Sequence, residues 1–200
     1  ALAFIRHQGC WKKVLSVNEG SYEKGLLHRL DFETSGLILF GKNQNFFDRY
    51  KENLNKQKYY LAIVHGGIKD AFNYAHYIDY MGKKNAMGRA SNETRPNAHL
   101  QGKKISFFEK ENLSLVLIKL KEGLRHQIRI QLSKEGHPIL GDSLYGDIDG
   151  EKQMYLHSFC YKFQYQNKNY EIKDENLIRF ERVLNIHGIL KMAHEPLLSF

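Results

Sequence analysis

The sequence has few cysteines and no long apolar run, and each absence narrows the class of protein. Only Cys10 and Cys160 occur among 200 residues, so neither a disulfide framework nor a cysteine-based metal cluster is expected. No stretch approaches the roughly 18 apolar residues of a membrane-spanning helix. The first residues, interrupted by Arg6 and His7, do not resemble a signal peptide. We therefore expect a cytoplasmic protein without membrane association.

Motifs for nucleotide and metal cofactors are also missing. The chain contains neither a G-x-x-x-x-G-K-[ST] loop nor a G-x-G-x-x-G fingerprint. Ten histidines are present, but His126, His137 and His157 lack the spacing of metal ligands, and no cysteine or acidic cluster accompanies them. We therefore expect no metal site and no small-molecule cofactor.

What the chain does have is an excess of positive charge. It carries 30 Lys and Arg against 22 Asp and Glu, a net charge of +8. A basic globular protein favours an anionic partner, and nucleic acid is the commonest one. A merely soluble basic protein is the alternative. The apolar content of 42% and the aromatic content of 12% are sufficient for a buried core.

Local patterns predict strands interspersed with two helices. The predicted strands are residues 37–41, 58–66, 103–110, 113–121 and 153–166, of which the third and fourth form a hairpin. The predicted helices are residues 43–57, with Asn43 as N-cap, and 124–135, ending at Gly136. Residues 79–97 predict a long basic loop, and the chain from 171 gives no clear pattern. These elements predict a single α+β domain spanning residues 1–200, with a mixed, mostly antiparallel sheet.

Asp31 lies in a polar cluster directly before the apolar run 37–41. One interpretation is structural, because an aspartate followed by Thr-Ser-Gly organises a turn through side-chain hydrogen bonds to the backbone. The other is functional, because a carboxylate at the mouth of a strand is rigidly positioned for chemistry. His28 and Arg29 lie close enough in sequence to bind phosphate or to orient this carboxylate.

Two further segments carry candidate functional residues. Tyr59 and Tyr60 alternate across a predicted strand, so only one of them can face a given site. That tyrosine either packs in the core or stacks on a base and transfers a proton. Arg125 and Arg129 are spaced to share a face of the predicted helix. They form either a solvated basic surface or a binding site for carboxylate or phosphate.

Three separated segments resemble, in order, the sequence motifs of the RluA-type pseudouridine synthases. "HRLDFETSGLILFGK" (28–42) resembles H-R-L-D-x-x-T-S-G followed by an apolar run and Ala-Lys. "KYYLAIVHG" (58–66) resembles K-x-Y-x-A-x-V-x-G, which aligns Tyr60 with the motif tyrosine. "GLRHQIRIQLSKEGHPILGDSLYG" (123–146) resembles a motif that begins G-R-x-H-Q-I-R, and "YLHSFCYKF" (155–163) is a weaker match. The resemblance covers about residues 25–165.

The resemblance implies an enzyme that isomerises uridine in ribosomal or transfer RNA to pseudouridine, without metal or cofactor. It implies that Asp31 is the catalytic carboxylate and forms a covalent intermediate. Tyr60 would stack on the target base and transfer a proton, and Arg129 would pair with Asp31. The implied substrate-binding residues are His28, Arg29, Thr34, Arg125, His126 and Gln127. The implied fold is a central, mostly antiparallel sheet with flanking helices and a central cleft, and we expect a monomer without a separate RNA-binding domain.

The sequence also departs from the family pattern. Phe32 stands where a basic residue is frequent, Gly41 replaces Ala, Leu124 replaces Arg, and Gln131 replaces His. The early Lys-Pro segment of the family is not evident in residues 1–27, so we expect a shortened N-terminal part. These departures favour, as the alternative function, an RNA-binding protein that keeps the fold without activity. A metal-dependent hydrolase is a third possibility. The basic loop around 83–95 is expected either to contact RNA or to be a solvated loop.

Overall fold

A single sheet of eight strands, the number in the described part of the chain, organises the fold. The computed structural model describes residues 11–52, 55–80, 88–92, 95–120, 122–146 and 149–185. The strands are β1 (Ser35–Gly36), β2 (Gln57–His65), β3 (Ala71–Tyr80), β4 (Gly88–Ser91), β5 (Ala98–Phe108), β6 (Leu113–Leu120), β7 (Leu156–Tyr165) and β8 (Lys168–Lys173). The helices are α1 (Trp11–Leu15), α2 (Gln44–Glu52), α3 (Gln127–Lys134) and α4 (Ile178–Val183).

The strand order is β1-β7-β2-β6-β5-β3-β4. Strand β8 also pairs with β7, along residues 160–165, beyond the two residues that pair with β1. Only β1 runs parallel to its neighbour among these described strands, and all other pairs are antiparallel. The predicted α+β class with a mostly antiparallel sheet is therefore confirmed. No helix of the described segments is long and apolar enough to cross a membrane.

The two central strands, β2 and β6, are buried on both faces because apolar residues occupy almost every position. Successive residues point to opposite faces, so Tyr59 and Tyr60 belong to different core clusters. Phe180 of α4 packs against the face of Tyr59. Ile128 and Leu132 of α3 pack against the face of Tyr60. The helix α3 thus covers the side of the sheet to which Tyr60 points.

Several local predictions are confirmed. The strands predicted at 58–66 and 153–166 correspond to β2 and β7, and the predicted hairpin corresponds to β5 and β6. Asn43 caps α2, because its side-chain oxygen accepts the backbone N–H of Phe46 at 2.8 Å. Gly136 ends the second predicted helix with a φ of +80°, as expected for a residue that leaves the helix in the left-handed region.

Other predictions are wrong in their bounds. Residues 37–41 are not a strand: the chain pairs with β7 only at β1, and Phe40 forms an isolated bridge with Leu26. The helix predicted at 43–57 ends at Glu52. The predicted loop 79–97 contains the paired ends of β3 and β4, whereas Lys83 and Lys84 lie outside the described residues. Pattern reasoning also missed most of β3, β8 and α4.

The helix predicted from residue 124 starts at Gln127. His126 has a φ of 54° and a ψ of 19°, a left-handed conformation that cannot continue a right-handed helix. Arg125 therefore precedes α3, and the prediction that it shares a helix face with Arg129 is wrong. Of the two alternatives for these arginines, the solvated basic surface does not apply to Arg129, because this residue is buried.

Candidate active site

A cleft of about 310 Å³ opens on the face of the sheet that α3 covers. It lies between the turn that carries Asp31, the first half of β2 and the start of α3. Eight of the nine sequence-predicted site residues line it: His28, Arg29, Asp31, Thr34, Tyr60, His126, Gln127 and Arg129. Arg125 is exposed and is not part of the lining, although both of its neighbours are.

Asp31 lies on a tight turn that we call the Asp31 loop, residues 28–34. The backbone N–H of Thr34 donates to the carbonyl oxygen of Asp31 at 3.1 Å, which closes the turn. The carboxylate itself is 22% exposed and faces the cleft. The turn predicted at this aspartate is present, but a backbone hydrogen bond closes it, and the side chain faces the cleft, where it is available to a ligand.

The chain directly after the Asp31 loop is fixed to β7. Gly36 pairs with Ser158 at a φ of +101°, and a Cβ at this position would overlap the backbone of Ser158. Glycine is therefore required both by its conformation and by the close approach of the two strands. Because β1 has only two residues, the backbone contributes few hydrogen bonds, and side chains must supply the rest.

Those side chains form a group that we call the Ser35 clip: Ser35, His157, Asp174 and Arg179. The Ser35 hydroxyl lies 2.9 Å from Nδ1 of His157 and accepts a hydrogen bond from the guanidinium of Arg179 at 2.8 Å. The carboxylate of Asp174 lies 3.4 Å from Nε2 of His157. The clip therefore ties the end of the Asp31 loop to β7 and to helix α4.

Arg129 faces Asp31 from the first turn of α3. Its guanidinium is 2% exposed and donates two hydrogen bonds to Asp142, from Nε at 2.8 Å and from Nη2 at 2.6 Å. Its Nη2 also lies 3.1 Å from Glu33, and its Nη1 lies 3.7 Å from the Asp31 carboxylate. Burial alone would lower the pKa of Arg129, but the bonded Asp142, together with Asp31 and Glu33, raises it.

Asp142 is the positioning residue of this half of the site. It is buried, and its Oδ1 also accepts the backbone N–H groups of Leu144 and Tyr145 at 3.0 and 3.1 Å. The carboxylate thus orients Arg129 so that Nη1 points to Asp31. Asp142 lies in "GDSLYG", the end of the third motif, but no role was predicted for it from the sequence. An aspartate in a turn that follows the arginine-bearing segment was the available signal.

Tyr60 ends a chain of hydrogen bonds that begins at the backbone. The N–H of Leu39 donates to Nε2 of His28 at 3.1 Å, and Nδ1 of His28 lies 2.9 Å from the hydroxyl of Tyr161. That hydroxyl lies 3.4 Å from the hydroxyl of Tyr60. Because Nε2 of His28 must accept, the proton of its neutral ring is on Nδ1 and is donated to Tyr161.

The protonation states of these groups follow from their burial. Desolvation, reinforced by the charges of Lys58 and Lys51, lowers the pKa of His28 from 6.5 to about 4, so its ring is neutral at neutral pH. Burial also raises the pKa of Tyr60 and of Tyr161, so both phenols keep their protons. Tyr161 then donates to Tyr60, whose hydroxyl keeps its own proton and also lies beside Ser158.

His126 completes the surroundings of the Asp31 carboxylate. Its Nε2 lies 3.8 Å from Oδ1 of Asp31, and its Nδ1 lies 2.9 Å from the hydroxyl of Tyr145. Burial lowers its pKa more than the nearby Asp31 carboxylate raises it, and the charges of Arg129 and Arg125 lower it further. The left-handed backbone of His126 aims this ring at Asp31 while α3 begins one residue later.

The other predicted substrate-binding residues differ in how accessible their side chains are to a ligand. Gln127 is buried, and its amide already bonds to Leu124 and to the backbone of His99. Arg29 is 80% exposed at the edge of the cleft, with Glu23 3.8 Å away. Gln127 therefore supports the wall of the cleft, whereas Arg29 is accessible to a ligand.

The departures from the family pattern have different locations. Leu124 lines the cleft, and Phe32 is fully exposed on the Asp31 loop. Gln131 lies away from the cleft, with its buried amide bonded to the backbone of Ala98. Leu124 and Phe32 are therefore placed to affect ligand binding, whereas Gln131 affects the packing of α3 against the sheet.

Three lysines of the cleft, Lys51, Lys56 and Lys58, received no role from the sequence, although Lys58 is the lysine of the K-x-Y motif. Lys51 and Lys56 lie near the end of α2, and Lys58 lies on β2 two residues before Tyr60. Their signal was the basic composition of residues 51–58. Within the described ranges, no group of three or more His, Cys, Asp or Glu side chains is arranged to hold a metal ion.

A mostly antiparallel sheet that brings an aspartate turn, a buried tyrosine and a buried arginine to one cleft fits the class of enzyme indicated by the motifs. The family model described as RNA pseudouridylate synthase matches residues 4–134. The chain therefore belongs to the RNA pseudouridylate synthase family.

Individual relatives agree with this assignment. The chain is 32% identical over 186 residues to the ribosomal large subunit pseudouridine synthase C of Haemophilus influenzae, covering 85% of this chain and 55% of that protein. It is 30% identical over 151 residues to the ribosomal large subunit pseudouridine synthase D of Borreliella burgdorferi, covering 72% and 46%. The chain thus spans about half the length of these relatives.

Solved structures show the same fold. Human RNA pseudouridylate synthase domain containing 1 aligns with a TM-score of 0.65 at 22% identity, over 80% of this chain and 79% of that chain. Human RNA pseudouridylate synthase domain containing 4 aligns with a TM-score of 0.62 at 20% identity. The predicted pseudouridine-synthase fold is confirmed.

Proposed function

We propose that this protein isomerises uridine in RNA to pseudouridine, with Asp31, Tyr60 and Arg129 as its catalytic residues. The observation that carries the proposal is the convergence of these residues, from three separated segments, on one cleft of about 310 Å³. The family membership of the chain supports the same reaction. The net charge of +8 suits an RNA substrate.

The reaction would break the bond between ribose C1′ and uracil N1 and form a bond between C1′ and C5. The C5 proton is released, and N1 takes up a proton, so the product is an isomer of the substrate. Asp31 would form the covalent intermediate while Arg129 stabilises its charge. Tyr60 would stack on the uracil and transfer a proton, and because its phenol is protonated it would act as a donor first. The uridine must leave its base stack to reach this cleft.

The remaining predicted residues surround this reaction. Thr34 would hold the Asp31 loop in the geometry of its turn. His28 would order the protons between Tyr161 and Tyr60. His126 would contact the nucleotide beside Asp31, and Gln127 would support that wall. Arg29 at the edge of the cleft and Arg125 outside it, both exposed, would contact the RNA.

The experiment is tritium release from RNA labelled at C5 of uridine. The wild-type protein is expected to release tritium, and the Asp31→Ala variant is expected to release none above background. Asp48→Ala is the matched control, because Asp48 is an exposed carboxylate on α2 and does not line the cleft. Equal release by wild type and Asp31→Ala would reject the proposal.

The alternative function is RNA binding without catalysis. The observation that favours it is Leu124, which gives the cleft wall an apolar side chain where the family pattern has arginine. This alternative predicts salt-dependent RNA binding and no tritium release from any RNA offered, so the same assay separates the two.

The finer parts of the proposal concern the substrate and the setting. Ribosomal RNA is supported by the names of two relatives, both ribosomal large subunit pseudouridine synthases, and transfer RNA is the other candidate. We also propose that the protein acts in the cytoplasm as a monomer. Mapping of pseudouridine in cellular RNA with and without the gene tests activity and target together.

A further inference from the structure

One end of the cleft carries three lysines that the reaction does not use. Lys51 donates to the carbonyl oxygen of Leu27 at 3.0 Å. Lys56 donates to the carbonyl oxygens of Tyr50 and Lys51 at 2.8 and 3.0 Å, near the end of α2. Carbonyls at a helix C-terminus attract cations. Two of the three ammonium groups are therefore held in place by backbone oxygen atoms.

Lys58 lines the same cleft as these two lysines but has a different environment. Lys58 and Tyr60 are two residues apart on β2, so both side chains point to the face that forms the cleft. A Cβ at Gly123 would lie 2.8 Å from Nζ of Lys58. The absence of a side chain at Gly123 therefore leaves the space that this ammonium occupies.

Lys58 has no counter-charge among the residues that the structure describes. Two carboxylates line the same cleft, and their ion pairs are with other residues: Asp31 with Arg129 and His126, and Glu23 with Arg29. Burial, followed by the charges of Lys56 and Lys51, lowers the pKa of Lys58. A partly buried ammonium surrounded by cations is costly unless an anion neutralises it.

We propose that Lys58, flanked by Lys51 and Lys56, binds a backbone phosphate of the RNA next to the uridine that enters the cleft. The proposal rests on the proposed function and adds a phosphate subsite to it. An ammonium on a flexible stem binds phosphate as a point charge. Leu124 leaves its part of the cleft wall apolar, and the three lysines place positive charge in the same cleft.

The alternative role of Lys58 is electrostatic and acts through His28. The charge of Lys58 lowers the pKa of His28 and so supports the proton order that ends at Tyr60. Loss of phosphate binding weakens RNA affinity and raises KM. Loss of the His28 effect lowers kcat and changes its pH profile without changing RNA affinity. The two roles therefore have different signatures.

The first experiment measures binding of a fluorescent nine-nucleotide oligouridylate as a function of salt. Each substitution is made in an Asp31→Asn background, so that no chemistry is required. Lys58→Gln is expected to weaken binding about tenfold and to reduce the salt slope by about 0.7, the value for one contact with a single strand. Lys58→Arg keeps the charge and is expected to restore most of the affinity.

The matched control is Lys110→Gln. Lys110 is exposed in the turn between β5 and β6, whereas Leu120, the partner of Lys58, is at the other end of β6. Seven strand residues separate these ends, roughly 23 Å. Lys110→Gln is expected to leave affinity and salt slope unchanged. Equal salt slopes of oligouridylate binding for the Asp31→Asn protein with and without Lys58→Gln would overturn the proposal.

The second experiment is competition of the same oligouridylate by uridine, uridine 5′-monophosphate and uridine 3′-monophosphate. The Lys110→Gln protein is expected to prefer at least one monophosphate to uridine, and this preference is expected to disappear in Lys58→Gln. An unchanged preference in Lys58→Gln would assign phosphate binding to other residues and overturn the proposal. A thermal melt of each variant verifies that it is folded.

The outcome can be separated from that of the proposed function. If wild type releases tritium but Lys58→Gln binds RNA normally, the phosphate subsite is wrong and the activity stands. If wild type binds oligouridylate through Lys58 but releases no tritium from any RNA, the subsite stands and the activity is wrong. If the oligouridylate does not bind at all, the subsite is rejected.

Discussion

The two sides of the cleft are held in place by different kinds of structure. Tyr60 and Arg129 are carried by β2, which pairs along its whole length with β6, and by α3, and most side chains of both elements are buried. Asp31 is carried by a turn, and the strand that follows it has only two residues. Its position depends on side chains that come from distant parts of the chain, through the Ser35 clip.

This difference separates stability from activity. Substitutions on the Arg129 side remove buried, fully paired groups, so we expect them to lower the free energy of unfolding. Substitutions on the Asp31 side remove contacts that orient a loop, so we expect them to lower the rate of reaction more than the stability. The four predictions below test this division, beginning with the largest expected effect on stability.

The largest loss is expected for Asp142→Asn. The substitution leaves the buried Arg129 guanidinium without its bidentate partner, and breaking a buried ion pair costs about 3–5 kcal/mol. Urea denaturation is expected to show this decrease in the free energy of unfolding. Tritium release should also fall in the folded fraction, because Nη1 of Arg129 is no longer aimed at Asp31.

Glu33→Gln is the control on the same guanidinium. Glu33 lies 3.1 Å from Nη2 of Arg129, but its side chain is 38% exposed. A partly exposed pair contributes at most about 1 kcal/mol. Losses of equal size for Asp142→Asn and Glu33→Gln would contradict the view that Asp142 positions Arg129.

The second prediction concerns His28, which connects the two sides through Leu39 and Tyr161. Its pKa is lowered from 6.5 to about 4, so the folded protein binds fewer protons than the unfolded chain. The stabilisation from its neutral ring is present above pH 6.5 and is lost as the pH falls towards 4. Between pH 7 and 4.5, this loss is about 2–3 kcal/mol.

The measurement compares the free energy of unfolding of wild type and His28→Gln at pH 7 and at pH 4.5. Wild type is expected to lose more stability over this interval, by about 2–3 kcal/mol. The pKa of His157 is also lowered by burial, but His157 is present in both proteins and its contribution cancels. Parallel pH dependences would show that His28 is not the titrating group.

The third prediction concerns the Ser35 clip, from which Arg179→Ala removes one of four members. Arg179→Ala deletes the hydrogen bonds to the Ser35 hydroxyl and to the carbonyl oxygen of Met154. We expect kcat to fall about tenfold or more, because small displacements of a catalytic group are costly. The loss of stability is expected to be only about 1–2 kcal/mol.

Arg182→Ala, an exposed arginine of the same helix, is the control for Arg179→Ala and is expected to keep full activity. In the Arg179→Ala protein, KM for RNA should change little, since Arg179 does not line the cleft. A stability loss without any decrease in kcat would mean that the clip only stabilises the fold.

The contrast between the regular elements that carry Tyr60 and Arg129 and the turn that carries Asp31 also explains which parts of the fold could be predicted from the sequence. Strand β2 was predicted closely because its apolar and β-branched residues give a local signal that burial reinforces. The run 37–41 has a similar composition, but it is not a strand, because only β1 finds a partner on β7. Pairing is a property of the whole fold, and a local pattern does not contain it.

The site could be predicted only where a motif identified it. Asp31, Tyr60 and Arg129 were named from the family resemblance, and all three line one cleft. Arg179 acts through partners far away in the sequence, and Asp142 through a partner 13 residues away, so spacing alone gave them no role. The lysines of the cleft also received no role, because a basic composition does not show which side chains line a cleft. Arg125 shows the opposite error, since helical spacing suggested a shared face that the left-handed His126 prevents.

The smallest effect on stability is expected for Phe32, the departure on the Asp31 loop. Its side chain is fully exposed, so Phe32→Lys is expected to change the free energy of unfolding by less than about 0.5 kcal/mol. The substitution restores the basic residue that is frequent in the family pattern. One added cation near the cleft is expected to strengthen oligouridylate binding and to increase the salt slope by about 0.7. Phe32→Gln separates loss of the aromatic ring from gain of charge. Weaker oligouridylate binding by Phe32→Gln would show that the ring itself contacts RNA. Unchanged binding would assign the whole gain in affinity of Phe32→Lys to its charge.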